Sequence, residues 1–294
     1  MADDLQVLAE PEWQTRRAAH ERRVDALLTG PLARRRRGEK HPVEDFLFEY
    51  YSYRPAHLRR WHPGPGVVLT GSTAEPYLAL FGYTTVDAGV TLDLDAVLER
   101  RADTLRWVAD LLAATASRPA QLGCFGMHEW AMVYRDPRLR HPSWPLRLGA
   151  EGTAAVVDDR GVRCSHFDAF RFFTEPARPL NVVQPRRDTQ VALEQPGCLH
   201  ATMDLYKWAY KLAPLTPSSL VLDCFELARD TRELDMRASP YDLSALGYPP
   251  VRVETSDGRA EYAAAQRTLT DRGAALRGRL LDLCRAVSPG PSRP

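Results

Sequence analysis

Three short segments of this 294-residue chain each place a cysteine, a histidine and a carboxylate within a few positions of one another. They are Cys124 with His128 and Glu129, Cys164 with His166 and Asp168, and Cys198 with His200 and Asp204. Imidazole is the commonest ligand of iron and zinc in proteins, and carboxylates complete many such sites. His200 and Asp204 are four apart, so on a helix they share one face. His166 and Asp168 are two apart, so in an extended stretch they point the same way. His128, His166 and His200 are therefore the candidate metal ligands, for iron or zinc, with Asp168, Asp204 and Glu129 as candidate catalytic carboxylates.

The His166-x-Asp168 pair, with His200 as a third donor, has the composition of a facial non-haem iron site. The segment after His200 reads as helical, however, whereas that triad is usually carried by a β-barrel. His128-Glu129 lacks the second histidine at metalloprotease spacing. The plainer alternative is three satisfied core pairs, because cysteine is small, often buried filler.

Two further constellations are rich in charge. Arg229 to Asp242 holds four carboxylates and three arginines in fourteen positions. Most of it suits a solvated helical face laced with ion pairs. Its exit through Pro240 makes Asp235, Arg237 and Asp242 candidates for a substrate-facing edge. The stretch from Tyr50 to His62 interleaves aromatics and cations, including Arg59, Arg60 and Trp61, just after the run Arg34 to Arg37. Phe170-Arg171-Phe172-Phe173 repeats that combination. Such mixtures suit stacking on bases and gripping phosphates, and suit a core edge with cation–π contacts equally well.

The elements that must position these residues read as mainly helical. Helical patterns are expected over Pro11–Leu28 (ended by Gly30-Pro31), Val43–Tyr51, Arg54–Trp61, Leu94–Ala116, Gly123–Tyr134, Leu199–Leu212, Ser218–Met236 and Gly258–Val287. Ser218 and Ser219 are expected N-caps. Short strands are expected at Val67–Leu69 and Tyr77–Tyr83. The middle, Arg135 to Pro196, is rich in Pro, Gly and Arg, and has room for a few strands near Val156-Val157 and Val162–Phe173. One mainly α domain over 1–287 follows, with an irregular, partly β middle segment and a disordered tail at 288–294.

Composition narrows the classes. At 44% hydrophobic and 26% charged residues, with a net charge of +1, the chain is an ordinary folding sequence. No run approaches the roughly 18 apolar residues of a membrane span, and the acidic start is unlike a secretory signal. A cytoplasmic protein without a membrane partner is expected, its five cysteines free. Only Lys40, Lys207 and Lys211 of its 39 basic residues are lysine. A GC-rich genome accounts for such a bias, as does a use for guanidinium forks on phosphate or carboxylate. There is no P-loop, G-x-G-x-x-G, G-x-S-x-G or C-x-x-C, which argues against NTP hydrolysis, NAD chemistry and serine-hydrolase chemistry.

From His41 to Pro65 (HPVEDFLFEYYSYRPAHLRRWHPGP) the chain resembles a bacterial family generally labelled 3-methyladenine DNA glycosylase. The blocks around His128-Glu129-Trp130, His166–Phe173, Leu199–Lys211, Asp235–Tyr241 and Gly258–Tyr262 fit the same pattern. The helix-hairpin-helix turn of helical glycosylases is not visible, since HPGPG lacks its apolar framing. The resemblance implies hydrolysis of the N-glycosidic bond of an alkylated base in DNA. That chemistry needs aromatic stackers, a carboxylate and a phosphate grip. Here Trp61, Trp130 and Tyr206 are available as stackers and Asp168 or Asp204 as the carboxylate. Arg34 to Arg37 with Arg59 and Arg60 are available as the grip. The competing reading is a metal-dependent helical enzyme acting on a small molecule.

Overall fold

The computed structural model describes residues 5–288, so of the expected 288–294 tail all but Ser288 lies outside the described residues. From the N-terminus, strand β1 (Gln6–Leu8) leads into helix α1 (Glu10–Arg36), then short helices α2 (Phe46–Glu49) and α3 (Pro55–Arg59). Strand β2 (Val67–Leu69), a 3-10 stretch (Ser72–Ala79) and the hairpin β3 (Tyr83–Val86) and β4 (Gly89–Leu92) follow. The four strands form one sheet in the order β1-β2-β4-β3. β1 runs parallel to β2, with Gln6 opposite Val67, and the other pairs are antiparallel, with Val68 opposite Thr91 and Tyr83 opposite Leu92.

The small β-structure therefore lies at the N-terminal end rather than in the middle. The expected strand at Tyr77–Tyr83 is instead the end of the 3-10 stretch and a turn. Pro76 has no N–H to give to a ladder. Trp13 stacks on Trp61 with ring centroids 6.4 Å apart and meets Tyr77 edge-on at 6.0 Å, building a second, smaller core against the sheet.

Helix α1 does not stop at Gly30-Pro31. Leu28 and Leu32 still pack on the main core, and Arg34 in its last turn ion-pairs with Glu44. Tertiary contacts there outweigh the lost proline hydrogen bond. The expected Val43–Tyr51 helix shrinks to α2, because a side-chain-bonded turn precedes it: the His41 N–H donates to Asp45 (2.8 Å) and the Glu44 N–H donates to His41 Nδ1 (3.1 Å).

The main core is made by α4 (Leu94–Ala116), whose first turn is capped by Asp93 accepting the Ala96 N–H at 2.9 Å, and three later helices. Between them come α5 (Met127–Ala131), α6 (Gly149–Arg160), α7 (Phe167–Phe170) and α8 (Gln190–Leu193), then α9 (Leu199–Lys211), α10 (Ser218–Arg237) and α11 (Ser256–Val287). α9 packs most extensively on α10, and α11 lies against both and against α4. Val156-Val157 sits in α6, not a strand; Thr153 and Val157, four apart, are its buried side. Val162 makes a single bridge to Asn181, and the expected strand beyond it is the turn of helix α7. Gly123–Tyr134 is helical only over α5. Ser218 does not cap α10 through its side chain. Its hydroxyl accepts the His62 N–H (2.7 Å) and donates to the Arg60 carbonyl (3.0 Å), tying the helix to the loop after α3. No helix among the described residues is long and apolar enough to cross a membrane.

Candidate functional site

α9 is buried on nearly every side, so its polar residues must find partners inside the protein. His200 and Asp204 share one face as the spacing predicts, and Lys207 follows one turn later. α5 brings His128 and Glu129 against α10, which presents Arg232 and Asp235. His166 precedes α7 in extended conformation, Asp168 lies in its first turn, and Glu194 follows α8. Gly126 enters α5 at φ 72°, and a β-carbon there would stand 3.2 Å from that of Ala238. This tight left-handed turn sets the direction of the His128 side chain. Gly197 lies so close to Gln121 that a β-carbon would meet its carbonyl oxygen at 2.7 Å, which lets the chain enter α9 beside that strand of loop.

The three predicted histidines converge. The His200 ring lies 4.4 Å from His128 and 5.3 Å from His166, centroid to centroid. Their donor atoms nevertheless do not form one three-histidine site. They sort into His128, His200 and Asp235, and separately His166, Glu194 and Asp204, the atoms of each set lying within 4.8 Å of one another. Either group has the residue types to hold a metal ion.

The two sets differ in how their histidines meet the carboxylates. His128 Nε2 donates to Asp235 Oδ1 at 2.7 Å, and Arg232 Nη1 donates to both Asp235 Oδ2 and Glu129 Oε1 at 2.7 Å. In that network Arg232 Nε alone of the guanidinium nitrogens is buried without a partner. Burial disfavours charge on His128, but the Asp235 carboxylate overrides it and raises the pKa well above the ordinary value. By contrast, His166 Nε2 faces Glu194 Oε1 at 3.2 Å and Asp204 Oδ2 at 3.4 Å without an aligned hydrogen bond. Both of its ring nitrogens, fully buried, lack a hydrogen-bond partner, as does Nδ1 of His200. Against the effect of burial, Glu194 and then Asp204 raise the His166 pKa to about 9. Burial, followed by the charges of His128 and His166, holds His200 well below its ordinary value, in the neutral form that binds metals.

Glu129, Glu194, Asp204 and Asp235 are each at most 4% exposed. Within contact distance they have Arg232 and Lys207, the latter 2.9 Å from Asp204 and 2.8 Å from Asp168. The two negative charges left are balanced by His128 and His166, whose pKa values their carboxylate neighbours raise, so an ion would enter in exchange for a proton. Burial opposes ionisation of Asp204 and Asp235, but Lys207 and His128 respectively hold each carboxyl well below its ordinary value.

The cluster forms one end of a cleft of about 870 Å³. His200, Glu129, Arg232 and Asp168 line it, facing aromatic walls from Phe46, Tyr50, Trp144 and Phe172. Arg232 also stacks on Phe46 at 4.2 Å. Other predicted residues lie elsewhere. Trp61 packs on Trp13, Trp130 is fully buried with its Nε1 donating to the Ala238 carbonyl at 2.9 Å, and Tyr206 is fully buried among Tyr51 and Phe225. All three pack in a core; Trp130 and Tyr206 present no face to a ligand, and Trp61 borders a separate pocket beside His62 and Pro217. Asp235 is a buried partner of His128 rather than a cleft residue. Arg237 donates to the Pro249 carbonyl and approaches Glu261, and so braces the loop after α10. Arg59 pairs with Asp25 and Glu21, Arg34 with Glu44 and Arg37 with Glu39, so much of the expected phosphate grip is already engaged within the chain. Arg171 lies 3.4 Å from Asp168, outside the 870 Å³ cleft.

Glu194 is the main addition. It sits in the Pro- and Gly-rich middle, where no periodicity marks it. Lys207 and Arg232 are also new to the site, and the scarcity of lysine was the available signal for the first. Comparison with family models, with curated proteins and with solved structures finds no match to this chain.

Proposed function

We propose that the chain is a metal-dependent enzyme acting on a small molecule held in the aromatic-walled cleft. His166, Glu194 and Asp204 hold the ion, and His200, its ring centroid 5.3 Å from that of His166, reaches the cleft beside them. The observation that carries this reading is the buried His166 ring, which faces two carboxylates with neither nitrogen hydrogen-bonded. A buried imidazole normally finds partners, and cis ligands about 2 Å from a metal stand roughly 3 Å apart, close to the spacing here. Mixed imidazole and carboxylate donors suit iron or zinc. Such an ion supplies Lewis acidity or an activated water. The His128–Asp235–Arg232–Glu129 network keeps a proton and a fixed carboxylate beside the cleft, and Phe46, Tyr50 and Phe172 exclude water from the bound molecule.

Elemental analysis of the full chain tests this. About one iron or zinc per chain is expected, lost in His166→Ala and Glu194→Gln and retained in Lys211→Gln. Only trace metal in wild-type protein after reconstitution with either ion would overturn it.

A second reading, base excision from alkylated DNA, is supported by the family resemblance and by one observation: Glu129 and Asp168 face a cleft with four aromatic walls. Such a site could stack an extruded base and stabilise positive charge on the sugar. Release of alkylated base from duplex DNA, with binding that weakens steeply as salt rises, is the result this reading needs.

A further inference from the structure

Behind the cleft, across a ridge made by Tyr50 and Asp168, lies a second groove of about 790 Å³. Two of the three lysines in the chain line it. Lys207 and Lys211 stand four apart on α9, so they share a face, and Arg171 and Arg187 join them from the end of α7 and the loop before α8. Four cations thus meet two carboxylates. Asp168 takes contacts from Lys207 (2.8 Å), Arg187 (3.1 Å) and Arg171 (3.4 Å), and Asp204 behind it takes Lys207. Asp103 at the rim is already paired with Arg106. The groove therefore keeps two positive charges in excess, most openly at exposed Lys211. Burial and then the neighbouring Lys207 cation lower the Lys211 pKa, as expected where positive charge is uncompensated.

The walls are aromatic. Trp107, 36% exposed, meets Trp208 edge-on at 5.0 Å, and Lys207 and Lys211 lie over the Trp208 ring. Isolated anchoring of a carboxylate needs one guanidinium fork. Two surplus charges on four donors, beside flat apolar walls, match a dianion carried on a ring or apolar body.

We propose that this groove is a binding site for the terminal phosphate of a phosphomonoester, with Lys211, Arg187 and Arg171 as its direct ligands. Lys207, tied to Asp168 and Asp204, supplies field rather than a free donor. The inference rests on the groove alone and goes beyond the metal reading.

The test is calorimetric titration of the full chain, treated with chelator, with phenyl phosphate at low salt. Saturable binding is expected, weakened roughly tenfold in Lys211→Gln and again in Arg187→Gln, one charge-assisted contact each. Both side chains are at the surface, so both variants are expected to fold. Neutral phenol is expected not to bind, and a short duplex to bind no better than phenyl phosphate. Absence of phenyl phosphate binding, wild-type affinity in both variants, or binding of the duplex alone would overturn the proposal. Binding that needs added metal and ignores both substitutions places the phosphate at the histidines. That outcome refutes the groove while leaving the metal reading intact, and metal-free protein that still binds through Lys211 does the reverse.

Discussion

The His200 imidazole stands edge-on to His128, with ring centroids 4.4 Å apart and planes inclined by 79°. The two rings are driven to opposite protonation states. Asp235 secures the proton on His128 against burial, while burial and that same positive charge keep His200 neutral. A neutral ring with a buried, unpartnered Nδ1 is ready for a metal, whereas His166 gives up the proton that Glu194 and Asp204 stabilise when an ion takes its place.

Metal should therefore stabilise the native chain at neutral pH. At a hundredfold excess over the dissociation constant, binding contributes about 2.7 kcal/mol, which for a chain of this size raises Tm by about 5 °C. Thermal scans with zinc and with chelator measure it. Identical Tm values in the two conditions would contradict the proposed ligand set.

Arg232 is 3% exposed and satisfies both Glu129 and Asp235. Arg232→Met keeps the bulk and removes the charge, leaving two buried carboxylates short of a partner. The expected loss is about 3–5 kcal/mol, read from urea midpoints at pH 7. A loss below about 1 kcal/mol, the value of an exposed pair, would mean that water reaches this network.

His62 gives a pH dependence away from the site. Burial, then the charges of Arg60 and His20, lowers its pKa to about 4, and its Nδ1 contacts the Tyr83 hydroxyl at 3.0 Å. Between the ordinary value of 6.5 and about 4, the unfolded chain binds a proton that the folded chain refuses. Stability from this group is thus complete above pH 6.5 and falls as pH drops. The loss is about 2 kcal/mol by pH 5. His62→Gln should show a correspondingly smaller drop between pH 7 and pH 5 in urea unfolding. Equal drops in the two proteins would assign the acid sensitivity to other groups.

Gly126→Ala strains a left-handed turn and presses a methyl group toward Ala238. We expect about 1–2 kcal/mol of destabilisation and a displaced His128. Gly38→Ala also lies at positive φ, but a β-carbon there meets nothing within 4 Å, so it serves as the control for backbone strain alone. Equal destabilisation in the two variants would show that the contact with Ala238 is immaterial.

Local periodicity made the long helices legible. The stripe over Leu94–Ala116 coincides with α4, and Leu199–Leu212 and Ser218–Met236 lie within a residue of α9 and α10. These helices bury a defined face, and a 3.6-residue repeat records that directly. The short elements left no such record. α5, α7 and α8 are four or five residues long, held by their neighbours rather than by propensity, and the β1–β2 pairing joins residues some sixty positions apart.

By itself, the sequence determined that the chain is mainly helical, that His200 and Asp204 share a face, and that three histidine–carboxylate segments were worth bringing together. Only the tertiary structure decided their pairing: His128 with Asp235 from α10, and His166 with Glu194 from a segment without periodicity. Spacing along one helix constrains residues within a turn or two. Which buried acid meets which imidazole depends on how separate helices dock, and the need to compensate buried charge selects that arrangement. The same holds for the lysines. Their spacing puts Lys207 and Lys211 on one face of α9, but only the tertiary structure brings Asp168, Arg171, Arg187 and Trp107 beside that face to make a groove.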